Sequence, residues 1–280
     1  MTRVTRRFSA HGGVTLASDL AGDAAAPLVI LLHGGGQTRR AWRHTANALS
    51  LRGLRVVSVD LRGHGESDWA PDGDYSLDAQ IQDLRALANA LPESPMLVGA
   101  SLGGLIALAA VGEAAVIARS LVLVDVAPRV DAVGEARIQH FMRQHGDGFA
   151  SIEEAAEAVA AYLPHRPRPA DTSGLKHSLR LQHGRYYWHW DPALINSLDA
   201  SPNRLAARYD AAARNVRVPT LLVRGARSEL VTHESVSHLK TVIPHAESVD
   251  VASAGHMVAG DRNDAFSAAL LAFIERQLQN

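Results

Sequence analysis

Cysteine is absent from the 280 residues. Disulfides, thiolate metal sites and thiol redox switches are therefore excluded. Charge of one sign is missing too: 28 Lys and Arg stand against 29 Asp and Glu, a formal net charge of −1. That balance argues against nucleic acid or an anionic membrane surface as the main partner. No run approaches the ~18 apolar residues of a membrane span. The basic stretch 1–8 leads into polar His11-Gly12-Gly13 rather than an apolar segment, so no secretory signal is read and a cytoplasmic location is expected. No G-x-G-x-x-G follows the first parallel strand, and the triglycine at 34–36 lacks the lysine and spacing of a P-loop. A nucleotide cradle is thereby excluded. No histidine pair has ligand spacing beside a carboxylate, so neither a metal nor another cofactor is expected.

What is present is enough apolar residue, 47% of the chain, for a large core. Strand-like runs fall at 4–8, 14–20, 28–32, 55–60, 96–99, 120–125, 220–224 and 247–251. The first two read as a hairpin about His11-Gly12-Gly13. Later runs alternate with helical spacing, as in Leu77, Ile81, Leu84, Leu87, Leu91 and in Phe266, Leu270, Phe273, Ile274, Leu278. The expected fold class is α/β: a mostly parallel eight-stranded sheet with helices on both faces. The alternation breaks between 127 and 216, where helices are predicted at 152–163, 192–198 and 202–213, the first ended by Pro164, Pro167 and Pro169. This segment reads as a helical cap inserted after the sixth strand, with 1–126 and 217–280 forming the core domain.

Chemistry concentrates at the expected carboxyl ends of the strands, where ligands sit in such sheets. Gly99-Ala100-Ser101-Leu102-Gly103 places a serine between glycines, after a strand and before a helix. So sharp a turn exposes the hydroxyl, and the helix aims its first amides at any oxyanion formed there. A serine needs a base, and the base an orienting acid. His256, in a glycine-flanked loop after the last strand, is the base; His33 and His64 sit in Gly-rich turns and read as structural. Glu229, in the loop after the seventh strand, is the positional choice of acid, with Asp125 after the sixth strand as its rival. The oxyanion amides are assigned to Leu102 and to Gly35, with Gly36 as second choice.

Four pieces in order carry a resemblance over nearly the whole chain. They are His33-Gly34-Gly35-Gly36, the stretch 60–68 (Asp-Leu-Arg-Gly-His-Gly-Glu-Ser-Asp), Gly99-Ala100-Ser101-Leu102-Gly103-Gly104 and Ala254-Gly255-His256-Met257. The chain resembles the α/β-hydrolase fold superfamily, in particular serine-nucleophile members near epoxide hydrolases and cofactor-free haloperoxidases. That family runs nucleophile, acid, histidine along the chain, an order that Ser101, Glu229 and His256 fit. Close relatives usually carry aspartate where this chain has Glu229, so the longer side chain requires the loop to retreat or Asp125 to serve. A serine makes an acyl-enzyme, so the resemblance implies a carboxylic ester or lactone hydrolase acting on a small molecule. The alternatives are a carbon–carbon bond hydrolase on vinylogous diketones and, from another class, a non-catalytic ligand receptor. In the cap, Tyr186-Tyr187-Trp188-His189-Trp190 gathers four of the chain's few aromatics. Tyr187, Trp188 and Trp190 are expected to line the substrate site. Arg185 and His189 are read as a solvated face rather than as contacts for a substrate carboxylate.

Overall fold

The strand β3, Leu28–Leu32, is Leu-Val-Ile-Leu-Leu, and every residue in it is buried. A strand apolar on both faces belongs inside a parallel sheet covered on both sides, and β3 lies there. The computed structural model describes residues 4–163, 172–197, 205–252, 254–256 and 263–279. Beside β3 run β4 (Arg55–Val59), β5 (Met96–Ala100), β6 (Ser120–Val124), β9 (Thr220–Gly225) and β10 (Glu247–Val251). The hairpin β1 (Val4–Ser9) and β2 (Thr15–Ala21) pairs from Val4↔Leu20 to Ser9↔Thr15 and joins β4 antiparallel. The order in this eight-stranded sheet is β1-β2-β4-β3-β5-β6-β9-β10, and all pairs from β4 to β10 are parallel. The expected eight-stranded, mostly parallel sheet is thus present.

Alternate residues feed two cores. Leu28, Ile30 and Leu32 point into one, Val29 and Leu31 into the other, as the two-residue period of a strand requires. The first core is covered by α2 (Leu77–Asn89), α3 (Leu102–Gly112) and α8 (His233–Val242); the second by α1 (Arg43–Leu51) and α9 (Asn263–Gln279). Helix α2 starts where the Ser76 hydroxyl accepts the Ala79 amide, and α8 where Thr232 and Ser235 form a capping box. Because the central strands are parallel, the loops after β3, β5, β6, β9 and β10 open along one edge of the sheet. That edge carries the chemistry.

Between β6 and β9 lie α4 (Ala132–Arg143), α5 (Ile152–Tyr162), β7 (Leu179–Gln182), β8 (Arg185–Trp188), α6 (Pro192–Ser197) and α7 (Ala206–Asn215). Two features differ from a purely helical insertion. First, β7 and β8 form an antiparallel hairpin, Leu179↔Trp188 to Gln182↔Arg185. Its two-residue turn, His183-Gly184, has φ of 48° and 77°, the handedness that matches the twist of paired strands. Second, α7 packs on α3, and Tyr209 and Ala213 are buried in the same cluster as α3. The expected boundary at 216 thus falls after a helix that packs on α3 and α8. Helix α4, capped by the Asp131 carboxylate on the amides of Val133 and Gly134, has no counterpart among the predicted helices. Pro164, Pro167, Pro169, Leu198 and Pro202 lie outside the described residues. Among the described residues no helix is long and apolar enough to cross a membrane.

Candidate active site

Ser101 stands between β5 and α3 at φ 46°, ψ −116°, a backbone region that a non-glycine residue occupies only under constraint. The constraint is visible. A Cβ on Gly103 would lie 2.6 Å from the Leu32 carbonyl oxygen, so α3 begins hard against β3. The Gly103 amide donates to the His33 carbonyl at 3.2 Å, locking the turn to the loop after β3.

His256 follows β10, and its Nδ1 lies 2.8 Å from Asp125 Oδ2. Asp125 is fully buried at the end of β6, itself at φ 49°. Its Oδ1 accepts the Gly225 amide at 2.9 Å, and its Oδ2 also accepts the Ser228 hydroxyl at 2.5 Å. With Nδ1–H donating to a carboxylate, the ring keeps Nε2 as its acceptor. Both His256 and Ser101 line one cavity. Glu229 is elsewhere: its side chain is 66% exposed and pairs with Arg137. The expectation that Glu229 orients His256 is therefore corrected to Asp125. The cause is the turn after β9, which aims Ser228 inward and the next residue outward. Ser228 Oγ accepts the amides of Leu230 and Val231 at 3.1 and 3.0 Å while donating to Asp125. Sequence reasoning passed over this serine; its only signal was its place at a strand end.

Around the serine, the amides divide cleanly. Gly34 donates to Gln37 Oε1 at 3.0 Å and Gly36 to His64 Nε2 at 3.1 Å. Gly35 and Leu102 line the cavity, and among the described residues neither amide has an acceptor. The second choice, Gly36, is thus already engaged. Burial fixes the supports of this loop. Arg39, 4% exposed, binds Asp60, Asp19 and Glu66, while Asp60 accepts the amides of Arg39 and Glu66. Burial still holds the Asp60 carboxyl above its ordinary range.

His33, His64 and His189 are all buried, with ring centroids 5.0 Å apart for the first pair and 5.9 Å for the second. His33 accepts the Leu61 amide at Nε2 and contacts the Gly34 carbonyl through Nδ1. Burial, with the neighbouring imidazoles, pushes His33 well below 6.5 and His189 down to about 3; burial alone lowers His64 to about 4. The unfolded chain then binds protons that the folded chain refuses, between about pH 6.5 and pH 4. These rings therefore favour folding fully above pH 6.5, and that contribution is lost as pH falls toward 4. The urea midpoint is expected to drop on going from pH 7 to pH 5, by an amount worth up to about 2 kcal/mol for each of the three rings. A midpoint constant over that interval would contradict this account.

The cavity has a volume of about 710 Å³, the size of sites for compact organic ligands. The sheet edge lines it with Gly35, Ser101, Leu102 and His256, and the segment between β6 and β9 with Phe141, Met142, Tyr162, Leu175, Trp188, Trp190 and Leu194. Phe141 stacks on Tyr162 at 4.2 Å and Trp188 on Trp190 at 5.0 Å. Of the three aromatics expected here, Trp188 and Trp190 line the cavity. Tyr187 does not; strand alternation turns it to the other face, against Gly148.

The family model for the alpha/beta hydrolase fold matches residues 27–262. The chain belongs to the α/β hydrolase family. An esterase of Mycobacterium tuberculosis is 32% identical over 258 residues, covering 85% of this chain and 79% of that one. A 3-hydroxybutyrate-oligomer hydrolase of Cupriavidus necator is 29% identical over 248 residues, covering 84% of each. Among solved structures, E-2-(acetamidomethylene)succinate hydrolase superposes with a TM-score of 0.86 over 98% of this chain and 100% of that one. At 24% identity that likeness shows the fold alone. The chain is thus an α/β hydrolase with relatives named as ester hydrolases.

Proposed function

We propose that this α/β hydrolase cleaves a carboxylic ester or lactone through an acyl-enzyme on Ser101. The observation that supports this most is the Asp125–His256 bond at 2.8 Å, its carboxylate fully buried, on the same cavity that Ser101 lines. Ser101 Oγ attacks the ester carbonyl and gives its proton to His256 Nε2. Asp125 holds the imidazole in the accepting tautomer and balances the imidazolium. The amides of Gly35 and Leu102 receive the oxyanion. The C–O bond to the leaving group breaks as His256 returns the proton to that oxygen. Water, losing its proton to the same nitrogen, then releases the acid and restores Ser101. The lid is formed by α4, α5, the β7–β8 hairpin and α6. Its aromatic and aliphatic wall suits an apolar acyl or aryl group more than a charged one.

A common intermediate can be tested by partitioning. With p-nitrophenyl and phenyl butyrate in water–methanol mixtures, the ratio of methyl ester to free acid should be the same for both leaving groups. A ratio that depends on the leaving group would rule out the shared acyl-enzyme.

A further inference from the structure

The two peptide groups that flank the Gly36 Cα are each held by an imidazole. The Gly36 N–H donates to His64 Nε2 at 3.1 Å, and the Gly36 carbonyl faces His189 Nε2 at 3.2 Å. His64 is held by its own Nδ1 against the Arg62 carbonyl at 2.9 Å. His189 Nδ1 accepts the amide of Gly65, the residue after His64, at 2.8 Å. The hydrogen bonds set the tautomers: His64 carries its proton on Nδ1, His189 on Nε2. The result is a closed ring joining the loop after β3, the loop after β4 and the residue that ends the β7–β8 hairpin.

Three further contacts tie the hairpin end to the same place. The Asp191 amide donates to the Gly63 carbonyl at 2.9 Å, and Tyr75 donates its hydroxyl to the Asp191 carboxylate. Trp190 lies close enough to Gly36 that a Cβ there would stand 3.2 Å from its ring, with Gly36 at φ +72°. Gly36 is thus fixed from above and below, and the peptide before it is fixed with it. That preceding peptide joins the Gly35 carbonyl to the Gly36 N–H that His64 holds, and the Gly35 amide lies just beyond the Gly35 Cα, beside the cavity.

We propose that His189, a residue of the lid, is a positioning residue for the oxyanion hole: by holding the Gly36 carbonyl it sets the direction of the Gly35 amide. This rests on the acyl-enzyme reading given above, in which Gly35 donates to the oxyanion. It goes further in making the lid a support of the catalytic loop as well as a wall for substrate. The burial of all three imidazoles agrees, because a proton added to His64 or His189 would replace an acceptor by a second donor and break the ring. Charged groups facing the cluster are Arg39 and Arg180, both of which oppose that proton.

Two substitutions divide the roles of His189. Asparagine places its amide where Nδ1 was and can still accept from Gly65, but cannot reach the Gly36 carbonyl. Glutamine places an N–H where Nε2 was and can still donate to that carbonyl. His189→Asn is expected to lower kcat for p-nitrophenyl butyrate by roughly 10- to 100-fold with KM within about threefold. His189→Gln should stay within about fivefold of the parent. Affinity for an alkyl trifluoromethyl ketone, whose serine hemiketal mimics the tetrahedral oxyanion, should fall in parallel with kcat/KM in His189→Asn, while affinity for the corresponding methyl ketone, whose unactivated carbonyl resists the addition, stays constant. Equal losses in the two variants, or lost turnover with trifluoromethyl ketone affinity intact, would overturn the assignment to Gly35. Failure of the underlying reading looks different: the parent enzyme would then form no ketone adduct that depends on Ser101.

Discussion

Replacing Ser101 with alanine is expected to lower kcat/KM for a p-nitrophenyl ester by roughly 10⁴- to 10⁶-fold while leaving the protein folded. The size follows from what remains. Without the hydroxyl, His256, the two amides and the cavity can still bind and polarise an ester, but water must replace an attacking group held in place. Losing that positioned nucleophile removes both the proton transfer and the covalent route, and such effects do not add separately. Stability should move little, by less than about 1 kcal/mol. The backbone strain at φ 46° is the same for serine and alanine, and among the described residues the Ser101 side chain makes no hydrogen bond that holds two elements together. Turnover, a melting curve and labelling by a fluorophosphonate read the three consequences. Alanine protein that still turns over would remove Ser101 from the chemistry. Parent protein that resists the phosphonate and shows no turnover, yet binds ligand, would favour the receptor reading instead.

Much of this site is legible in the sequence because its parts obey local rules. Parallel strands buried on both faces appear as short continuous apolar runs, and Leu28–Leu32 is one in which all five residues are buried. The serine turn announces itself by glycines whose absent side chains let β5 and α3 meet at close range. His256 is marked by glycine and by its place after the last strand. The hairpin β7–β8 has no such mark. Leu-Arg-Leu-Gln and Arg-Tyr-Tyr-Trp mix polar and aromatic residues within an otherwise helical stretch, and only His183-Gly184 hints at the turn. His189 illustrates the limit best. Beside Arg185 it looks solvated, and Arg185 does reach outward to the carbonyls of Asp147 and Gly148. His189 is 2% exposed, because three segments far apart in the chain close over it. No periodicity within one segment can report that.

The acid is the case in which local reading chose between two answers and preferred Glu229, whereas the contact to His256 is made by Asp125. Asp125 and Glu229 each follow a strand on the correct edge, and only the path of the loop after β9 separates them. Exchanging each for its amide should therefore give opposite results. Asp125→Asn is expected to reduce kcat by roughly 10⁴-fold near neutral pH. The buried carboxylate accepts from Gly225, Ser228 and His256. An asparagine amide turned toward the ring would donate to Nδ1, pushing the imidazole proton to Nε2, where it blocks acceptance from Ser101. Turned the other way, it would set two donors against the Gly225 amide. Either orientation leaves a buried polar group mismatched, so some stability is lost as well, on the order of 1–3 kcal/mol. Glu229→Gln removes only an exposed ion pair with Arg137, a contact worth about 0–1 kcal/mol, and kcat should stay within about twofold. Steady-state kinetics of the two proteins, each checked by circular dichroism, decide the matter. A large loss confined to Glu229→Gln would return the acid to the loop after β9 and detach the 2.8 Å contact between Asp125 and His256 from the mechanism.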